Sequence, residues 1–300
     1  MAGQLTVLDT PSLWYRAFHA IPSSVVGPDG SPTGAIRGCL DLISRVVRDT
    51  RPARLVATYD ADWRPAFRVA AVPTYKLHRT VGGGAEDEPE ALTPQIAVIH
   101  EVLGALGVCV VGADGHEADD VIGTLASRES GPVDVVSGDR DMFQLVSDQV
   151  RVLYAVEKMA PYGPAEVAAK YGIPGSGYAD YAVLRGDPSD GLPGVKGVGD
   201  KTAAALVARF GAVEAIVAAL DSGSEDGFPV GARAKLAAAR DYLAVAPAVT
   251  RVVRDLPLGV LDDALPRTPA DPEELLALSD RWGLEAPLER FLHALEAAHS

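Results

Sequence analysis

Four short apolar runs in the first half of this 300-residue chain end on, or just before, an aspartate, and no other feature constrains the fold as much. Residues 5–8, 55–59, 108–111 and 133–136 have the length and β-branched content of buried strands. Helical periodicity fills the intervals near 35–49, 93–106 and 119–129. Strands alternating with helices predict an α/β fold, a mostly parallel central sheet with helices on both faces. In such sheets functional groups collect beyond the C-terminal strand ends. Asp9, Asp60, Asp114 and Asp139 fall there.

Residues 81–90, VGGGAEDEPE, read as a glycine-rich acidic break, with Thr93-Pro94 opening the next helix. The second half reads as helical near 163–171, 178–184, 200–209, 212–220, 230–246, 272–281 and 287–298, with a loop at 221–227. The expected division is an α/β core over 1–172 and a helical region over 173–300.

Carboxylates recur in five segments. Asp9 and Asp60 end strands, and Glu117, Asp119 and Asp120 open a helix. Asp139 and Asp141 follow the run VDVV, and Asp187 and Asp190 share a turn. Any one of them alone fits a helix cap. Nine together would repel one another and raise their own pKa values unless cations neutralised them. Oxygen donors without cysteine or histidine point to Mg²⁺ or Mn²⁺ rather than zinc. Two such ions suit phosphodiester hydrolysis.

Residues 191–206 place Gly191, Gly194, Gly197 and Gly199 before an alanine-rich helix. Gly197-Val198-Gly199 resembles the hairpin of a helix–hairpin–helix, whose backbone N–H groups hold a duplex phosphate without reading bases. Lys196 and Lys201 add charge there, although glycines also serve ordinary tight turns. Just after Asp60 come Arg64, Arg68, Lys76 and Arg79, placed to orient a phosphate, with Tyr75 offering a face for a base. Arg16 is a weaker candidate of the same kind.

A net charge of −14 looks wrong for a chain that handles nucleic acid, but nine acids gathered in one site would account for most of it. Cys39 and Cys109 form no paired motif, which favours a reducing, cytoplasmic setting. Neither a secretory leader nor a run long enough to span a membrane is visible.

VLDTPSLWYRAFHA, YDADWRPAFR, PTYKLHR, GHEADDVIGTLA, SGDRDMFQLV and GDPSDGLPGVKGVGDKTA, in that order, resemble the bacterial 5′–3′ exonuclease/flap endonuclease family, which includes the N-terminal nuclease domain of DNA polymerase I. The resemblance implies a PIN-like core in which Asp9, Asp60, Glu117, Asp119 and Asp120 serve one Mg²⁺ region. Asp139, Asp141, Asp187 and Asp190 would serve a second, with Mn²⁺ able to substitute. It further implies a helical arch over about 75–100, with Tyr75, Lys76 and Arg79 at its base, and Lys76 and Arg79 acting on the phosphate. A helix–hairpin–helix over about 186–210 would carry K⁺.

The expected partner is DNA with a 5′ end or flap, or an RNA–DNA hybrid, cut by a monomeric, stand-alone nuclease in primer removal or repair. The common glycine after the first aspartate is replaced by Thr10-Pro11. A junction-binding protein without cleavage and an acid-lined ribonuclease are the competing readings.

Overall fold

The computed structural model describes residues 3–82, 85–223 and 226–300. In chain order the strands are β1 (Leu5–Asp9), β2 (Arg54–Thr58), β3 (Thr80–Val81), β4 (Ala85–Glu86), β5 (Cys109–Val111), β6 (Val133–Ser137), β7 (Val150–Tyr154) and β8 (Ala160–Tyr162). Among the described residues, β3 and β4 form a small antiparallel hairpin, and the other six form one sheet in the order β5-β2-β1-β6-β7-β8. All pairs in that sheet are parallel except β7 with β8. The four expected strands are present. β7 and β8 extend the sheet beyond them, and β7 (VRVLY) carries its own alternation, with Arg151 exposed between buried neighbours.

The chain winds from β1 to β2 and β5 on one side, then crosses back to begin β6 and β7 on the other. Connections from neighbouring strands β1 and β6 thus leave in opposite directions, and a crevice opens beyond their C-terminal ends.

Successive strand residues face opposite sides, giving two cores. Val7, Val56 and Val135 enter one, with Val121 and Leu125 of helix Ala118–Arg128 and Leu206 of helix Asp200–Phe210. Leu8, Leu55 and Val136 enter the other, beneath helices Thr10–Ala20, Gly34–Thr50 and Thr93–Leu106.

The expected division at residue 173 is corrected in one respect. The last two helices, Pro272–Trp282 and Glu285–Ala298, return to the first half of the chain. Leu275, Leu288 and the fully buried Phe291 join the second core. The approach to them is fixed by Leu55 N donating to the Asp263 carbonyl at 2.8 Å and Leu265 N to that of Ala53 at 3.0 Å. The amphipathic helix Gly34–Thr50 needs cover on its outer apolar side, and these helices supply it.

The helical arch expected over 75–100 is also corrected. Lys76 precedes a single turn, Leu77–Arg79, then the β3–β4 hairpin, and helix resumes only at Thr93. Glycine lowers helix propensity by about 1 kcal/mol per residue, and the run after Val81 has three. Of the expected 81–90 break, Gly83 and Gly84 lie outside the described residues, as do Ser224 and Glu225 of the 221–227 loop. The expected 230–246 helix is interrupted at Ala239, dividing into Ala232–Ala238 and Arg240–Val245. Among the described residues no single helix is long and apolar enough to cross a membrane.

Candidate active site

The crevice holds a cavity of about 390 Å³. Asp9, Asp60, Glu117, Asp119 and Asp139 line it, together with the cations Arg16, Lys76, Arg79 and Arg140.

Several acids also act as caps, and the capping aims them. Asp9 ends β1 and accepts from Ser12 N at 3.3 Å, capping helix Thr10–Ala20, in which Pro11 sits in the first turn where no donor is needed. Its other oxygen accepts from the Ser137 hydroxyl at the end of β6, across the crevice. Asp139 accepts from Asp141 N at 2.8 Å, and Asp187 from Ser189 N at 2.9 Å. Asp60 accepts from Ala118 N at 2.7 Å. Capping and clustering are therefore not alternatives here: hydrogen bonds to one face of a carboxylate orient the rest of it. Asp119 caps nothing. The helix it lies in, Ala118–Arg128, is capped by Asp120, which accepts from Glu117 N at 3.3 Å.

The acids perturb one another as an uncompensated cluster should. Burial, then the charge of Asp139, lifts Asp9 above the usual aspartate range, against hydrogen bonds from Ser137 and Ser12. Burial with Asp139 and Asp9 lifts Asp119 well above it. Asp60 is pushed up to about 7, chiefly by burial, although Lys76 opposes the shift. Asp190 rises to about 6 for the same first reason. Asp141 is 9% exposed and is raised well above its ordinary value by burial, Asp139 and Asp190, while its Oδ1 has no hydrogen-bond partner. Among the described residues no three of these groups close on a single point.

Glu117 behaves differently. Burial would raise it, but Lys76 and Arg68 outweigh burial and hold it below the usual glutamate range. It accepts from Arg68, from the Lys76 ammonium and from the Tyr75 hydroxyl at 2.6 Å. This corrects three readings. Arg68 is 2% exposed and bonds Glu117, Asp120 at 2.6 Å and the Val249 carbonyl at 3.1 Å, so it supports acids and cannot meet DNA. Tyr75 is 3% exposed, with no face open to a base. Asp120, fully buried, accepts from Arg68, Val253 N and Glu117 N, and does not line the cavity. Asp114 is exposed and also lies off the cavity; Asp141, Asp187 and Asp190 do not line it either, although their neighbours Arg140 and Ser189 do.

Lys76 adopts φ 48°, unusual for a side-chain-bearing residue, and is held there from both ends. Its N–H donates to the Asp190 carbonyl at 2.9 Å and its ammonium reaches Glu117. Arg79 bonds the Ser189 carbonyl at 2.6 Å and Asp190 at 3.3 Å. Arg64 is spent on the Tyr75 and Pro73 carbonyls. Arg140, inside the quoted SGDRD motif but not singled out from it, lines the cavity 4.0 Å from Asp187. The alternation of charge in that motif is the signal that marks it.

The four hairpin glycines divide by role. A Cβ at Gly191 would come within 2.2 Å of the Thr74 carbonyl oxygen, and one at Gly194 within 2.4 Å of Gly186 N, so both permit close backbone approach. Gly199 is different: nothing lies within 4 Å of its Cβ position, and it begins helix Asp200–Phe210 without a side-chain cap. Gly197 takes φ 78° in the turn before it. Lys196 and Lys201 are exposed beside this uncapped end.

Two family models match in succession: the 5′–3′ exonuclease N-terminal resolvase-like domain over residues 4–172, and the 5′–3′ exonuclease C-terminal SAM fold over 173–273. A 5′–3′ exonuclease of Streptomyces coelicolor is 52% identical across 97% of this chain and 100% of its own length. One from Mycobacterium tuberculosis is 47% identical, covering 99% of each chain. The crystal structure of the bacteriophage T5 flap endonuclease in a pseudo-enzyme–product complex with DNA and metal ions superposes with a TM-score of 0.62 at 16% identity, over 99% of this chain and 100% of that one; at that identity it speaks to the fold. The motifs, the sheet order, the acid-lined crevice and these relatives agree, and the chain belongs to the 5′–3′ exonuclease family of nucleases.

Proposed function

We propose that this chain hydrolyses DNA near 5′ ends and flaps, with two divalent ions held in the crevice. The observation that carries the reading is the single cavity lined by Asp9, Asp60, Glu117, Asp119 and Asp139 opposite Arg16, Lys76, Arg79 and Arg140. The residues fit such ions: the donors are hard carboxylate oxygens, several raised by burial above the usual aspartate range, and Asp141 keeps one buried oxygen unpartnered. Asp9, Asp60, Glu117 and Asp119 would hold one ion, with Asp120 supporting Glu117 from behind, and Asp139, Asp141, Asp187 and Asp190 the other. Mg²⁺ suits this donor set, and Mn²⁺ would substitute. Bound there, the ions would supply an activated water and neutralise charge on the leaving oxygen. The T5 enzyme, of the same fold, was crystallised with DNA and metal ions.

The protein's own part is positioning. Ser12 and Ser137 fix Asp9, and Arg68 and Tyr75 fix Glu117. Arg79 and Arg140 present cations to a phosphate lying in the crevice. Lys76, bonded to Glu117, lines the same cavity and would add its charge to that phosphate. The uncapped helix start at Gly199, with Lys196 and Lys201, grips duplex phosphates without reading sequence, and a K⁺ ion between that turn and the phosphate fits the same geometry. A DNA strand or an RNA primer within a hybrid would meet the same groups. This suits primer removal or repair by a cytoplasmic monomer.

The test is cleavage of a 5′-flap oligonucleotide in Mg²⁺ by the wild type and by Asp139→Ala. Product from the wild type alone supports the reading. Tight flap binding without cleavage in Mg²⁺ or Mn²⁺ would instead establish a junction-binding protein.

A further inference from the structure

Gln144 is buried at 3% exposure, and its carboxamide is fully used. Nε2 donates to the Asp141 carbonyl at 2.9 Å and the Thr250 carbonyl at 3.0 Å, while Oε1 accepts from Val252 N at 3.0 Å. The Gln144 carbonyl accepts from Arg254 at 3.0 Å. Gln144 thus clamps the turn Arg140–Leu145, in which Asp141 is the second residue, to segment 250–254, the end of helix Pro247–Thr250 and the irregular stretch after it.

That segment is a strap across the back of the crevice. Val253 N donates to Asp120 at 2.8 Å, and Arg68, which also holds Glu117, bonds the Val249 carbonyl just before it. Arg251 reaches Asp180 at 2.6 Å and Glu214 at 2.7 Å in the helical region. One backbone stretch therefore carries the supports of both acid groups.

The demand on the Asp141 turn is specific. Asp139, Asp187 and Asp190 repel the Asp141 carboxylate, and its Oδ1 lacks a donor. Met142 and Phe143, both fully buried, anchor the side of the turn that faces the core, but a shift of its polar side would swing that carboxylate away. The strap opposes this through an amide that must both donate and accept, which neither glutamate nor methionine can reproduce.

We infer that Gln144 is a positioning residue for the second acid group, clamping the Asp141 turn to the 250–254 strap so that the carboxylate stays beside those of Asp139, Asp187 and Asp190. The inference rests on the two-ion reading. Groups that orient metal-binding carboxylates from behind typically change metal affinity by about 10- to 100-fold when removed.

The experiment is Mn²⁺ titration by calorimetry on the full chain without DNA, comparing wild type, Gln144→Met, Gln144→Glu and Asp141→Asn. The expected result is two ions on the wild type and about tenfold weaker binding of one of them in both Gln144 variants, with flap binding in EDTA retained. Combining Gln144→Met with Asp141→Asn is expected to add little beyond Asp141→Asn alone. Should the Gln144 variants be recovered unfolded, Arg254→Met, which frees only the Gln144 carbonyl, is expected to show the same selective weakening in milder form. Two wild-type ions with both affinities unchanged in the folded variants overturn the inference and leave the two-ion reading standing. A wild type that binds fewer than two ions overturns both.

Discussion

The Lys76 ammonium is bonded to Glu117, the one acid of the crevice held below its ordinary pKa. The lysine thus shares a carboxylate with the ion that Glu117 is proposed to hold.

Opposite signs for binding and catalysis follow. Lys76→Met removes a cation that competes for Glu117, so Mn²⁺ affinity, read by calorimetry, is expected to hold or rise. Flap cleavage is expected to fall about 100-fold, the scale seen when one charge-stabilising donor is lost. A parallel loss of metal binding and cleavage would contradict this account of Lys76.

The pH dependence has an uncommon sign. Burial lifts Asp60 to about 7 and Asp190 to about 6, against 3.8 for an unperturbed aspartate. Between about pH 4 and 7 the folded chain holds protons that the unfolded chain has released, so stability without divalent ions falls as pH rises through that window. Added Mg²⁺ competes with those protons. Its gain in melting temperature is expected to be near zero at pH 5 and roughly 5 °C at pH 8. A gain independent of pH would count against carboxylate ligation.

At the hairpin, Lys201→Ala is expected to weaken duplex binding and to lower the slope of log affinity against log salt by about one, as for one lost phosphate contact. An unchanged slope would remove Lys201 from the interface.

The C-terminal helices belong energetically to the α/β core. Phe291→Ala is expected to destabilise the whole fold by about 3–5 kcal/mol in chemical denaturation, as a large cavity does. Below the melting transition, flap affinity should be close to wild type.

Much of this was legible because local chemistry sufficed. Asp9 and Asp139 announce themselves by ending apolar runs, and Gly199 by preceding an alanine-rich helix. What was not legible depended on distant partners. Nothing local to Arg68 distinguishes a buried clamp from a DNA contact; its partners Asp120 and Val249 lie 52 and 181 residues away. Tyr75 is hidden for the same reason, by Glu117 across 42 residues. The arch was expected from resemblance alone, and the glycines after Val81 argue locally for the short hairpin found.

The return of the last two helices to the first half changes what kind of appendage the helical region is. It is a loop fastened at both ends, near residue 173 and at the 250–254 strap, rather than a tail. A protease cut beside the fully exposed Val230 would leave two pieces, each carrying part of both cores. The nicked protein should travel as one particle, and the fragments, made separately, should assemble by complementation.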